Sequence, residues 1–291
     1  MALVKFRSLV GLGWTTGLLC AAALTVDGCA RASSPAAPPS SSESSPARLP
    51  SGEIVDLSHA YDAQAIFWPT AETFRLEKVA DGVTAGGYYY AANNFSTSEH
   101  GGTHIDAPIH FAKGHQTVDQ IPLDRLMGEA IVVDVTQSAS RDADYQISVD
   151  DFTRTEREQG AIPAGAIVLI RTGFSARWPN AEAYLGTGRR GEAAVKELHF
   201  PGLHPDAATW LIANRSIKAV GIDTASIDYG QSTLFESHRR LYERDIPAFE
   251  NLTSLERLPA RGAFVVALPM KIAGGSGAPL RAVAMLPEAG K

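Results

Sequence analysis

The stretch Glu99-His100-Gly101-Gly102-Thr103-His104-Ile105-Asp106-Ala107-Pro108-Ile109-His110-Phe111 gathers three of the chain's eight histidines around one aspartate. Gly101 and Gly102 are poor helix formers and Pro108 interrupts any continuation, so His100 and His104 do not share a helix face. The stretch reads as an irregular turn running into an extended segment. Alternate side chains of an extended segment share a face, which predicts His104, Asp106 and His110 on one side and Ile105, Ala107 and Ile109 in packing. The glycines let the backbone turn tightly enough to bring His100 to the same side. Imidazole nitrogens and a carboxylate converging in this way suit Zn²⁺, Mn²⁺ or Fe²⁺, and the carboxylate can bridge two ions. A polar turn whose histidines only satisfy hydrogen bonds is the plainer reading, and the density of the cluster weighs against it. The H-E-x-x-H helix of zinc peptidases is absent from the stretch.

On either side of this stretch the chain alternates between strand and helix patterns. Ala130–Val135, Ala166–Ile170, Ala219–Ile222, Ala263–Leu268 and Arg281–Met285 are short apolar runs bounded by Gly, Pro or charge, which favours buried strands. Ser148–Gln159 opens with a good N-cap, Pro205–Ala213 has proline in a first-turn position, and Glu192–Leu198 and Phe235–Arg244 also read as helical. The class is therefore α/β, or mixed strands and helices around a sheet, from residue 53 to 291 with no internal linker or repeat.

The N-terminal part has a different character. Lys5 and Arg7 precede the apolar run Leu9–Val26, the pattern of an export signal over residues 1–29. Gly11, Gly13, Thr15, Thr16 and Gly17 make that run a poor membrane-spanning helix, which needs ~20 strongly apolar residues. Val26-Asp27-Gly28-Cys29 is similar to a bacterial lipobox, with lipidation of Cys29, and Ala30-Arg31-Ala32 offers an ordinary cleavage site. The Ser/Pro/Ala-rich tract that follows, residues 30–52, reads as an extended linker. An exported chain placed in the cell envelope or periplasm, possible anchor included, is the expectation. Both cysteines, Cys20 and Cys29, fall in the leader, so any metal in the domain is held by histidine and carboxylate. With a net charge of −6 and no long basic run, the chain lacks the positive footprint of a nucleic-acid binder.

HGGTHIDAPIH resembles the H-x-G-T-H-x-D-x-P-x-H motif of the cyclase family of metal-dependent hydrolases, which includes bacterial kynurenine formamidases and isatin hydrolases. Asp56-Leu57-Ser58-His59 is similar to the family's opening D-L-[ST]-H, and residues 221–228 (GIDTASID) to its G-x-D-T-x-S-x-D segment. His238 and Glu250 resemble its later H…E pair. The resemblance implies a swivelling β/β/α domain, assembled as a dimer or tetramer. It implies metal ligation by His100, His104, Asp106, His238 and Glu250, two divalent ions (Zn or Mn), and His110 as proton donor and acceptor. The implied reaction is hydrolysis of a non-peptide C–N bond in a small amide, either an N-aryl formamide such as N-formylkynurenine or a cyclic amide or imide.

Other residues receive expectations of their own. Phe67, Trp68 and His204 are candidate substrate contacts, and Tyr88, Tyr89, Tyr90 and Phe95 read as an aromatic wall shared with core packing. Glu99, Asp223 and Asp228 are candidates to orient ligands by hydrogen bonding. His59 reads as a pocket or hydrogen-bonding residue, His115 as surface, and His199 as packing. Residues 178–200 look like an insertion relative to compact formamidases. A lactonase or esterase on the same site, and a non-catalytic metal- or solute-binding envelope lipoprotein, are the rival readings.

Overall fold

A computed structural model describes residues 51–288, so the expected signal segment, Cys29 and the linker up to residue 50 lie outside the described residues. In chain order the strands are β1 (Ile54–Asp56), β2 (Arg75–Val83), β3 (Tyr89–Ser96), β4 (His104–Asp106), β5 (Met127–Asp134), β6 (Gln146–Ile147), β7 (Ile167–Arg171), β8 (Gly202–Leu203), β9 (Ala219–Ile222), β10 (Ala248–Glu250), β11 (Ala263–Pro269) and β12 (Gly277–Met285). The α-helices are α1 (Thr136–Ala139), α2 (Val149–Gln159), α3 (Ala181–Leu185), α4 (Glu192–Val195), α5 (Pro205–Arg215) and α6 (Glu236–Tyr242).

Eight strands form one sheet in the order β1-β12-β11-β5-β7-β9-β10-β4, and β12 pairs with β4 as well, so the sheet closes on itself. The two ends of β12 make this possible. Gly277–Pro279 pair with β4, while Val283–Met285 pair with β1. The strand is therefore longer than the apolar run Arg281–Met285 implies. From β5 through β7 and β9 to β10 the pairing is parallel, and the intervening chain carries α2, α5 and α6. Parallel strands covered on both faces read as continuous apolar runs, and Ile167–Ile170 are all buried.

Period-two alternation divides the apolar side chains between two cores. Ala130, Val132, Ile167 and Leu169 pack inside the closed sheet with Phe249 and Ala282. Ile131, Val133, Val168 and Ile170 face α2 and α5 through Phe152 and Leu211. Helix α2 begins where Ser148 predicts: the Ser148 N–H donates to Asp151 Oδ2 at 2.9 Å, and the Ser148 hydroxyl completes the capping box. Residues 178–200 build a third core, in which Tyr184, Leu185, Leu198 and Phe200 pack on Ile66 and Phe174, with Trp68 and Trp178 against them.

Strands β2 and β3 form a separate hairpin. Tyr88, Tyr89, Tyr90 and Phe95 are 52–65% exposed on or beside it, so they are neither core nor pocket wall as the sequence suggests. Aromatic density marks a strand here, but whether a ribbon's faces are covered depends on distant parts of the chain.

Candidate active site

The antiparallel register of β4 and β10 sets Glu250 directly across from His104. Within β4, His104 and Asp106 point to one face and are buried, while Ile105 points into the core. The expected extended parity stops at Asp106. Pro108 opens a 3₁₀ turn over Pro108–His110, closed by the His110 N–H donating to Ala107 O at 2.9 Å. His110 thus reaches the same side as Asp106 through a turn, with its Nε2 3.9 Å from Asp106 Oδ2. The ring of His100 stacks on that of His110 with centroids 3.8 Å apart. This approach needs Gly277 in β12, where a Cβ would lie 2.6 Å from the His100 ring.

All five expected ligands converge. His104 Nε2 lies 3.2 Å from Asp106 Oδ1 and 3.4 Å from Glu250 Oε2. From α6, His238 Nε2 lies 3.4 Å from Asp106 Oδ2 and 3.2 Å from Glu250 Oε1. His100 Nδ1 is 2.7 Å from Asp106 Oδ1. Two compact ligand groups result, His100/Asp106/His110 and His104/Asp106/Glu250, and Asp106 belongs to both.

The hydrogen bonds around this cluster show that it fits a divalent ion. His104 Nδ1 faces the carbonyl of Gly102 at 3.0 Å, and His238 Nδ1 faces Asp228 Oδ2 at 2.5 Å. Each acceptor takes that ring's N–H, which leaves an Nε2 lone pair aimed at carboxylate oxygens. Facing groups of this kind in a buried site require a cation between them, a proton when no metal is bound, and outer partners that fix the tautomer are the usual support of metal-ligating histidine. The electrostatics agree. Burial disfavours the charged form of His238, yet hydrogen bonds to Asp106, Asp228 and Glu250 outweigh it and hold its pKa well above the ordinary value. Burial and the Asp106 charge push Glu250 upward, against the pull of His238 and His104. The cluster favours positive charge.

Asp228 also accepts from the backbone N–H groups of His238 and Ser237, at 3.1 and 3.2 Å. It orients His238, as its sequence position suggests. Replacing it with asparagine is expected to weaken metal binding roughly 10–100-fold with little change in folding, measured by competition with a chromogenic chelator. Asp223 does something else: it accepts from Thr172 N, Thr172 Oγ1 and Gly173 N at 2.7–2.8 Å and anchors the turn after β7. Tyr242, whose hydroxyl donates to Asp106 Oδ2 at 2.9 Å, has no signature in the sequence. Nor has the link from Tyr184 through Asn251 to the Gly102 carbonyl, at 2.8 and 2.7 Å.

Above the cluster opens a cavity of about 270 Å³ whose walls include Trp68, Phe111, Ala225, Ser226 and Phe235. Phe235 stacks on Phe111 with centroids 5.0 Å apart, and its backbone is left-handed at φ 48°. A bulky residue in that conformation is costly, and such strain gathers at ligand sites. Trp68 lines the cavity as expected, while Phe67 and His204 do not. Phe67 is buried in the space left by the absent Cβ of Gly101. His204 caps α5, its Nδ1 accepting the Asp206 N–H at 3.1 Å, because Pro205 takes the first helical position.

The remaining histidines lie outside the cavity. His115 and His199 pair with Asp245 and Asp144 at 3.0 and 2.7 Å. His59 stacks flat on Trp178, centroids 4.0 Å apart, with its Nε2 buried and unpartnered. Burial drives its pKa from 6.5 down to about 4, with the Asp56 charge opposing. The neutral ring therefore contributes stability that is complete above pH 6.5 and fades as pH falls towards 4, by up to about 3 kcal/mol. His59→Phe is expected to narrow the Tm difference between about pH 7.5 and pH 5 relative to the parent, read by thermal denaturation. An unchanged difference contradicts this role.

Comparison with known proteins places the chain in a family. The family described as "Putative cyclase" matches residues 55–229. An isatin hydrolase from Roseibium aggregatum is 31% identical over 211 residues, covering 70% of this chain and 78% of that protein. A kynurenine formamidase from Salinibacter ruber is 29% identical over 240 residues, covering 79% and 96% respectively. The solved structure of isatin hydrolase A from Ralstonia solanacearum superposes with a TM-score of 0.73 at 33% identity, covering 80% of this chain and 92% of that one. With the family match, the relatives and the fold in accord, the chain belongs to the cyclase family.

Proposed function

We propose that the protein is a metal-dependent hydrolase of a non-peptide amide bond in a small aromatic molecule, with a cyclic amide of the isatin type first among substrates and N-formylkynurenine second. The observation that carries this reading is the convergence of His100, His104, Asp106, His238 and Glu250 on the floor of an aromatic-walled cavity. Divalent metal bound by these residues would supply an activated water near neutral pH and polarise the substrate carbonyl. The chain's own residues do the rest. Burial first, and then the charges of His100, His238 and His104, push His110 down to about 4 against the pull of Asp106. His110 is therefore neutral near pH 7 and able to accept a proton at Nε2 and return it to the leaving nitrogen. Trp68, Phe111 and Phe235 offer flat apolar surface to an aryl ring.

The order of substrates rests on the isatin hydrolases found in both comparisons and on the export-signal pattern, which makes an exogenous amide a better substrate than one produced inside the cell. Assembly as a homo-oligomer belongs to the same proposal. A lone two-stranded ribbon is marginal in water, and a second copy would cover the exposed tyrosines of the hairpin. The test is a panel of isatin, N-formylkynurenine and an aromatic lactone, each assayed with Mn²⁺ or Zn²⁺. Preferential turnover of isatin is the expected result. Preference for the lactone would make the enzyme an esterase, and turnover of none in metal-loaded protein would contradict the substrate class.

A further inference from the structure

Glu99 and Ser276 sit beside the cluster but outside the groups that face its centre. Glu99 Oε2 accepts from the Ser276 backbone N–H at 3.0 Å and from the Ser276 hydroxyl at 2.6 Å. The same hydroxyl oxygen lies 2.9 Å from His100 Nε2. A serine hydroxyl carries one proton, and an ionised carboxylate only accepts. The Ser276 proton therefore goes to Glu99, and the hydroxyl oxygen accepts from His100 Nε2–H. As a metal ligand His100 would then present its other nitrogen, Nδ1, the atom 2.7 Å from Asp106 Oδ1. The arrangement is tightly built. A Cβ on Gly275 would lie 2.9 Å from Glu99 Oε1, and one on Gly277 would lie 3.0 Å from His100 Nδ1.

We propose that Glu99 and Ser276 are positioning residues that lock His100 in its Nε2–H tautomer, so that His100 presents Nδ1 to the metal while His104 and His238 present Nε2. The inference rests on the metal-hydrolase reading and adds to it which atom of His100 serves and what selects it. Through Ser276, which precedes β12, the chain's C-terminal strand sets the chemistry of a histidine 176 residues earlier.

The test uses the full chain, ¹⁵N-labelled at histidine and loaded with ¹¹³Cd²⁺ as an NMR-visible probe. The expected result is cadmium coupling to Nδ1 of His100, with Nε2 protonated. Coupling to Nε2 of His100, or to neither nitrogen, overturns the proposal while leaving the metal site in place. Failure of the parent protein to take up cadmium, zinc or manganese overturns the metal reading and this inference with it. Glu99→Gln and Ser276→Ala are each expected to lower metal affinity about 10–100-fold in chelator competition, and Ser276→Thr, which keeps the hydroxyl, to restore most of it. Parent-like affinity in both of the first two variants, confirmed as folded by circular dichroism, also overturns the proposal.

Discussion

Replacing His110 with alanine is expected to lower kcat by about 10²–10⁴-fold while leaving metal content close to that of the parent. The size of the effect follows from the role. In the proposed hydrolysis a proton must leave the attacking water and one must reach the leaving nitrogen, and His110 is the half-buried, neutral imidazole at the cavity wall beside Asp106. The retained metal follows from geometry. His100, His104, Asp106, His238 and Glu250 hold one another through contacts of 2.7–3.4 Å, whereas His110 stands 3.9 Å from Asp106. Elemental analysis of the purified variant, alongside its kinetics, separates the two roles. Loss of metal together with activity would show that His110 is a ligand, as its membership of the His100/Asp106/His110 group would then require.

Asp106→Asn is expected to remove metal from both ligand groups and to bring turnover down to the level of the chelated parent. Asp106 is buried, common to both groups, and held by Tyr242 through its second oxygen. Burial works against its charge, but positive charge on the surrounding histidines, when no metal is bound, keeps its carboxyl well below the usual range. An asparagine removes the negative charge and places either an amide oxygen or an NH₂ where a carboxylate common to both groups stood. A ligand that binds only the folded state stabilises it by about 2.7 kcal/mol at a hundred times its Kd. The parent's Tm should therefore rise with added Mn²⁺ or Zn²⁺ and the variant's should not. A variant that keeps parent-like metal content and metal-dependent Tm would contradict the shared role of Asp106.

Much of this site was legible in the sequence because its densest part is local. His100, His104, Asp106 and His110 lie within one turn, one short strand and a second turn, and the β-branched runs of β5, β7 and β9 mark the sheet behind them. Legibility failed where a contact depends on closure of the sheet. Ser276 and Gly277 reach His100 only because β12 pairs with β4, and Tyr242 reaches Asp106 only through the placement of α6. His110 reaches the side that extended parity predicts, but through a turn, since Pro108 ends the extended path. His204 and Phe67 carried plausible chemistry, but a helix cap and the space over Gly101 claimed them. Phe235 was visible only as an aromatic residue ahead of a helix, and its left-handed backbone appears only in three dimensions.

The most direct test of the central claim is hydrolysis of isatin by the purified protein before chelation, after removal of metal, and after return of Mn²⁺ or Zn²⁺. The account predicts turnover that disappears with the metal and returns with it, together with bound metal by elemental analysis that His104→Ala loses. Turnover that survives complete removal of metal would contradict it.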